Sequence, residues 1–234
     1  MAKEQTQTES QDKAARLREY SRGAQLIFEN AEALYKEADT LREGGFLARA
    51  AFLHQISMEE CAKVDMLGGW ATMLLMGNVV DDKLIAQQFR DHKAKNRSNA
   101  YMATVTPEER EARQRGDWKA SAEAFRRFQQ EFHTELNTTK NGALYVDFEA
   151  GKFVSPKEVI PEETVIAVAA LNYHFLSVSF PFLRLLERMA NESGTFEGFA
   201  QQFARRAREL GEESSNDPEK LTHRLLEEMR QTYK

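Results

Sequence analysis

GGFLARAAFLHQISMEECAKVDMLGGWATMLLMG, residues 44–77, decides the fold. Its paired glycines, Gly44-Gly45, supply the left-handed turn that ends one helix, and apolar periodicity resumes directly after them. Phe46, Ala50, Leu53, Ser57, Val64, Leu67, Ala71 and Leu74 recur as a helical stripe that fades at Met76-Gly77-Asn78. So short a link implies that the helices before and after it form an antiparallel pair.

Upstream, Ala15, Leu17, Ala24, Ile27, Ala31, Leu34, Ala38 and Leu41 fall at helical spacing and predict a long first helix, preceded by a polar, disordered tail over residues 1–9. Downstream, a third helix is expected from about Asp82 into Lys95, with Ile85, Phe89 and His92 on one face, then a polar connection over residues 96–106. Thr106-Pro107-Glu108-Glu109 has a capping threonine, a first-turn proline and acids facing the helix dipole, and should open a helix that runs to about Leu136. The periodicity then changes. Leu144, Val146 and Phe148 alternate, and Glu149-Ala150-Gly151-Lys152 reads as a tight turn, which predicts a small β-hairpin near residues 143–154. Pro161-Glu162-Glu163 opens the most apolar helix, expected to lie centrally and to kink near Pro181, and two amphipathic segments over 195–211 and 217–232 follow. The expected architecture is all-α: a helical-bundle domain over 10–192 and a C-terminal helical extension, 193–234, packed on it.

Composition narrows the function. The 234 residues are 41% hydrophobic and 29% charged, an ordinary globular balance, with a formal net charge of -5 that gives no global attraction for nucleic acid or anionic lipid. RNA binding must therefore be local. Cys61 is the single cysteine, which excludes an intramolecular disulfide and multi-cysteine zinc sites and fits a reducing compartment. The polar N-terminus has no signal-like apolar core, and the apolar run 165–186 carries Asn172, His174, Pro181 and Arg184, so a cytoplasmic protein without a membrane partner is expected.

Polar groups interrupt the apolar stripes in two places. At about 100° per residue, Arg49, Leu53, Glu60, Val64 and Leu67 share a narrow sector of the second helix. Arg49 and Glu60 must then find partners in the bundle or line a cleft, while Glu59 and Lys63 are spaced to pair along the surface. On the third helix His92 lies in line with Ile85, with Lys95 and Asn96 a turn on. The bland reading is a core ion pair of Glu60 with Lys95 or Arg49 and a hydrogen-bonded core histidine; the sharper reading is a site spread over both helices.

Several chemistries lack their residues. A di-metal helical bundle needs Glu-x-x-His, and here Glu131-Phe132-His133 has the wrong spacing, so no metal or other cofactor is expected. The G-x-S-x-G elbow and the phosphate-binding loop are absent. An Arg-x4-His pair occurs at Arg49 and His54, and Arg126 and Arg127 precede His133 at similar spacing, a permissive pattern that five histidines meet about once by chance.

The segments ARAAFLHQISMEECAK (48–63), FRDHKAK (89–95) and ALYVDFEAGKFVSP (143–156), in that order after a long helix, are more specific together. They resemble the AbiV-type abortive-infection family, a divergent branch of the HEPN helical proteins, over most of residues 15–190. The family's acidic pair followed by lysine maps onto Glu59, Glu60 and Lys63, its His-Lys segment onto His92, Lys93 and Lys95, and its aromatic-acid segment before a proline onto Tyr145 and Asp147. The resemblance implies a HEPN-like bundle, bacterial defence against phage by halting gene expression, and a homodimer that often acts as a metal-independent RNase. HEPN nucleases usually carry a polar residue after the arginine, whereas Ala50 follows Arg49 here.

An RNase needs a base for the ribose 2′-hydroxyl, an acid for the leaving oxygen and cations around the phosphorane. His92 suits the first or second role; Lys95, Lys63 and Arg49 suit the third, with Glu60 orienting one of them and Glu59, His54, Lys93, Tyr145 and Asp147 in support. The alternative is a non-catalytic interaction protein that binds a phage or host translation component, its Glu, His and Lys residues serving as internal ties. A plain helical scaffold ranks third, because His92 and Glu60 break apolar stripes instead of decorating polar ones.

Overall fold

The computed structural model describes residues 2–213, so the expected helix over 217–232 lies outside the described residues. Helix α1 (Ala2–Glu43) runs back through the positions read as a tail, and α2 (Leu47–Leu75) returns against it. Gly45 at φ +80° makes the reversal. Its N–H donates to Arg42 O at 3.0 Å and that of Phe46 to Leu41 O at 2.8 Å, the paired bonds of a glycine-terminated helix end. Phe46 then lies over Leu41 in one apolar recess.

Beyond α2 the chain breaks more often than periodicity predicts. The expected third helix is two, α3 (Asp82–Arg90) and α4 (His92–Met102), so His92 does not share a helix with Ile85. Asp91 makes the break: its carboxylate accepts from Lys93 N at 2.8 Å and Ala94 N at 3.2 Å, starting a new helix inside an apolar pattern that otherwise continues. Helix α4 also takes up most of the expected connection. Thr106 caps α5 (Pro107–Gln114) as foreseen, but Gly116 at φ +71° ends it, and α6 (Trp118–Leu144) starts afresh. The hairpin is confined to β1 (Asp147–Glu149) and β2 (Lys152–Val154), antiparallel with Phe148 opposite Phe153. Ala150 and Gly151, at φ +48° and +82°, make its two-residue turn, whose hand matches the twist of the strands. Leu144, expected in the strand, closes α6. A short α7 (Pro156–Val159), α8 (Glu162–Asn191) and α9 (Ser193–Glu213) complete the described chain. Nine helices and one two-stranded hairpin among the described residues make the fold all-α with a small β-hairpin insertion, as expected.

Helices α1, α2 and α8 form the centre. Leu17, Tyr20, Ala24 and Phe28 of α1 pack with Val64, Leu67, Trp70 and Leu74 of α2 and Leu183 and Leu186 of α8, while Ala200 of α9 closes that end. Toward the middle, Met58 and Cys61 meet Phe132 of α6 and Phe175 of α8. Ala50, Ala51, Ser57, Cys61, Ala62 and Ala71 are all fully buried on α2; small side chains let neighbouring helices close around it on several sides. Helix α8 is the one helix among the described residues long and apolar enough to cross a membrane, and only 28% of its most apolar window is buried. Its inner face ties to the centre through the fully buried Asn172, whose Oδ1 accepts from Ser57 of α2 at 3.0 Å.

Candidate functional site

The middle of α2 is gripped from two sides. Asn99 of α4 donates to Met58 O at 2.9 Å, and Ser98 donates to the Asp65 carboxylate, so α4 lies along α2. Gln55 of α2 donates to Leu136 O of α6 at 2.8 Å. Glu59 sits where the three helices meet, only 5% exposed.

Lys95 and His92 reach Glu59 from α4, with Lys95 Nζ 2.7 Å and His92 Nδ1 2.6 Å from Oε2. Lys140 reaches it from α6, with Nζ 3.2 Å from Oε1. Burial pushes the Glu59 carboxyl up, but the Lys95 hydrogen bond and charge, Lys140 and His92 outweigh it and hold the group below its ordinary value. The carboxylate therefore stays ionised and accepts a proton bond from His92 Nδ1. That contact orients the imidazole, whose side chain is 53% exposed, and leaves Nε2 without a protein partner among the described residues. Two lysines and one imidazole around one carboxylate make the junction cationic.

Next to this cluster Asn96, buried on α4, donates to His133 Nδ1 on α6 at 3.1 Å, holding a second, partly buried imidazole. Arg90, Lys93 and Arg97 are exposed on α3 and α4 with no ion-pair partner among the described residues. These three cations make a basic rim within five positions of His92 in the chain.

Other candidates fall elsewhere. Glu60 is not the inward acid: it pairs with Lys63 one turn along the same helix, while Lys63 Nζ also lies 5.7 Å over the Phe89 ring. Lys63 is thereby taken from Glu59, and Lys95 belongs to Glu59 and not to Glu60. Arg49 is exposed beside Leu41, Phe46, Phe52 and Leu53, about 15 Å along the helix axis from Glu59. His54 points the other way, fully buried, with Asn172 Nδ2 donating to its Nδ1 at 3.2 Å and Asp39 4.0 Å from Nε2. Burial lowers its pKa. Arg49 and His54 therefore do not converge. Nor do Arg126 and Arg127 reach His133, since Arg126 bonds Ala122 O and Arg127 pairs with Glu108 at 2.5 Å. Lys93 lies on the rim, whereas Tyr145 is exposed beyond α6 and Asp147 accepts from Phe148 N at 2.7 Å. The sequence reading omitted Lys140, which sits in a polar helix with nothing local to mark it. Asn96 and His133 were in view, but only the structure joins them.

A family model described as AbiV, of HEPN type, matches residues 19–177, a span that includes every residue of the Glu59 junction. The uncharacterized protein y4gJ of Sinorhizobium fredii (strain NBRC 101917 / NGR234) is 35% identical over 115 residues, covering 49% of this chain. The chain spans about 60% of that relative's length. No solved structure matches the chain.

Proposed function

The chain belongs to the AbiV family of HEPN proteins, and on that premise we propose that it is an abortive-infection protein that cleaves RNA without a metal ion, using the junction of α2, α4 and α6. The observation that carries this reading is the Glu59–His92 contact of 2.6 Å: a buried, ionised carboxylate fixes one ring nitrogen and turns the other outward.

In this reading His92 Nε2 takes the proton of a ribose 2′-hydroxyl, whose oxygen then attacks the adjacent phosphorus. The 5′-oxygen leaves with a proton supplied by an acid, a role assigned to His133. Arg90, Lys93 and Arg97 bind flanking phosphates, which a protein of net charge -5 must do locally. Glu59 is a positioning residue; Lys95 and Lys140 keep it ionised and add positive charge beside the reacting phosphate.

A second reading rests on a different observation. Phe148 and Phe153 pair across the hairpin with ring centroids 5.0 Å apart, yet both are exposed, as are Tyr145 and Val146. Such a patch suits a non-catalytic protein that docks on a phage or host translation component.

Cleavage of total RNA and tRNA in EDTA separates the two. The RNase reading expects cleavage by the wild type and its loss in His92→Ala, which should remain folded because the ring is half exposed. No cleavage by the wild type sinks that reading and favours the hairpin as the working surface.

A further inference from the structure

Tyr101 is the one aromatic residue on α4, the helix that carries His92, and it is 71% exposed. Its hydroxyl has no hydrogen-bond partner among the described residues. The ring meets the half-buried Phe125 of α6, with centroids 4.8 Å apart and planes tilted by 43°. Phe125 therefore supports the ring from one side, and the rest of its π-surface stays in water. A flat apolar group that covers it gains hydrophobic burial and stacking together. Lys93, Arg97 and Tyr101 follow one another at steps of four residues, a strip that winds about 80° around α4 over about 12 Å. All three are exposed, and neither cation has an ion-pair partner among the described residues. Arg126, next in the chain to Phe125, is a third exposed cation without one. Glu123 is the acid nearest in sequence to Phe125, and it falls about 160° round α6 from it.

We infer that Tyr101 is a nucleobase-stacking subsite: one base of a single-stranded RNA lies on its open face, while Lys93 and Arg97 hold the phosphates that lead from it toward His92. The inference rests on the reading of the Glu59 junction as an RNA site and adds what grips the strand beside it. Cations leading to an open aromatic ring match a single strand, whose phosphates repeat negative charge and whose unpaired bases offer flat faces. A duplex matches them less well, because its bases are already stacked on one another and present no free face. An acidic peptide would satisfy the cations and leave the ring uncovered. Tyr101 lies nine positions beyond His92, about 14 Å along the helix axis. The stacked base is therefore a neighbour of the reacting nucleotide and not part of it. Stacking there sets how the strand is held without choosing a sequence, since every base has a π-face.

The test is fluorescence anisotropy of a labelled 2′-O-methyl oligonucleotide with the full chain, and circular dichroism verifies the folding of each variant. A methylated 2′-oxygen has no proton to give up, so the strand stays intact and binding is read alone. Tyr101→Ala should weaken binding at least about fivefold with the salt dependence unchanged, because stacking carries no charge. Tyr101→Phe should bind as the wild type does, since the hydroxyl has no partner. Arg97→Gln should instead lower the slope of log affinity against log salt by about 0.7. On a strand of the same length and charge with its bases removed, wild type and Tyr101→Ala should bind alike. Equal affinity of wild type and Tyr101→Ala for the strand with bases overturns the proposal. So does an equal loss on the strand without bases, which is a structural effect, and so does a wild type that binds neither strand. Poly-glutamate that displaces the oligonucleotide while Tyr101→Ala has no effect would give the cations to an acidic protein partner instead. Cleavage of ordinary RNA in EDTA is read in parallel. Tyr101-dependent binding without cleavage removes the RNase reading and keeps the subsite, whereas cleavage with Tyr101-independent binding removes the subsite alone.

Discussion

Replacing Glu59 by glutamine keeps the shape of the side chain and removes its charge. Lys95, 7% exposed at its side chain, then loses the carboxylate 2.7 Å away, and Lys140, 12% exposed, loses its partner as well. An amide oxygen still accepts a hydrogen bond, but it does not balance a buried ammonium. Breaking a buried pair from one side costs about 3–5 kcal/mol, chiefly from the uncompensated charge. With a urea m-value near 2 kcal/mol/M, that loss moves the unfolding midpoint down by about 1.5–2.5 M. Lys95→Met alone should cost less, about 1–3 kcal/mol, because His92 and Lys140 still neutralise the carboxylate. In the double variant neither charge is orphaned by the other, and the combined cost should fall below the sum of the singles by about 2 kcal/mol or more. The assay is urea unfolding followed by far-ultraviolet circular dichroism, read for midpoint and slope. A Glu59→Gln midpoint within about 0.5 M of wild type at unchanged slope would refute the buried-charge argument.

Two further outcomes follow from shifted ionisations. His54 is held below its ordinary value of 6.5, mainly by burial, so the unfolded chain binds its proton first; stability is full above that pH and declines as pH falls from 6.5 toward the lower folded value. Glu59 is held below 4.5, so its contribution persists to lower pH and is lost as pH falls from 4.5 through the folded value. Urea midpoints measured against pH should thus show two successive losses, and His54→Gln should abolish the upper one; a single loss unaffected by that substitution contradicts the assignment. Cys61 is fully buried and its thiol is pushed up to about 12 by burial, so Ellman's reagent at pH 8 should label the native protein only as it unfolds, and prompt labelling of folded protein would count against this packing.

The helix order was legible because most boundaries are written in local chemistry. Gly44-Gly45, Thr106-Pro107 and Pro161 each act through their own backbone preferences, and the structure ends or starts helices there. Asp91 was not legible in the same way. An aspartate inside an apolar period is read as a surface residue unless one knows that its carboxylate turns back onto Lys93 N and Ala94 N. The error over which glutamate faces inward has a different cause. A stripe argument assumes one buried face, but α2 is covered by α1, α8, α4 and α6, and its buried residues run Ala50, Ala51, His54, Gln55, Ser57, Met58, Glu59, Cys61, Ala62 and Val64. With that much of the circumference covered, periodicity loses its power to choose between adjacent residues. The decision between Glu59 and Glu60 is made by Lys95 and Lys140, which lie 36 and 81 positions away and carry no local mark.

The geometry also bears on why such a cluster should exist. An ion pair between α2 and α4 that served only to hold the bundle would need one cation, and well-packed apolar side chains would do the same work at no loss of stability. Glu59 has two lysines beside it, more positive charge than one carboxylate neutralises, and Arg90, Lys93 and Arg97, exposed within five positions of His92 in the chain, have no ion-pair partner among the described residues. Excess charge of one sign at a junction disfavours folding through self-repulsion unless an anion relieves it. The half-exposed ring of His92 lies where the buried part of this cluster opens to solvent. A phosphate arriving there would meet the surplus charge and the outward imidazole nitrogen together, whereas a purely structural tie would leave both without a purpose. Inorganic phosphate or sulfate should therefore raise the thermal midpoint of the wild type more than chloride at equal ionic strength, and Lys93→Glu/Arg97→Glu should remove the difference; equal midpoints in the three salts would remove the charge-based case for an anion at this junction.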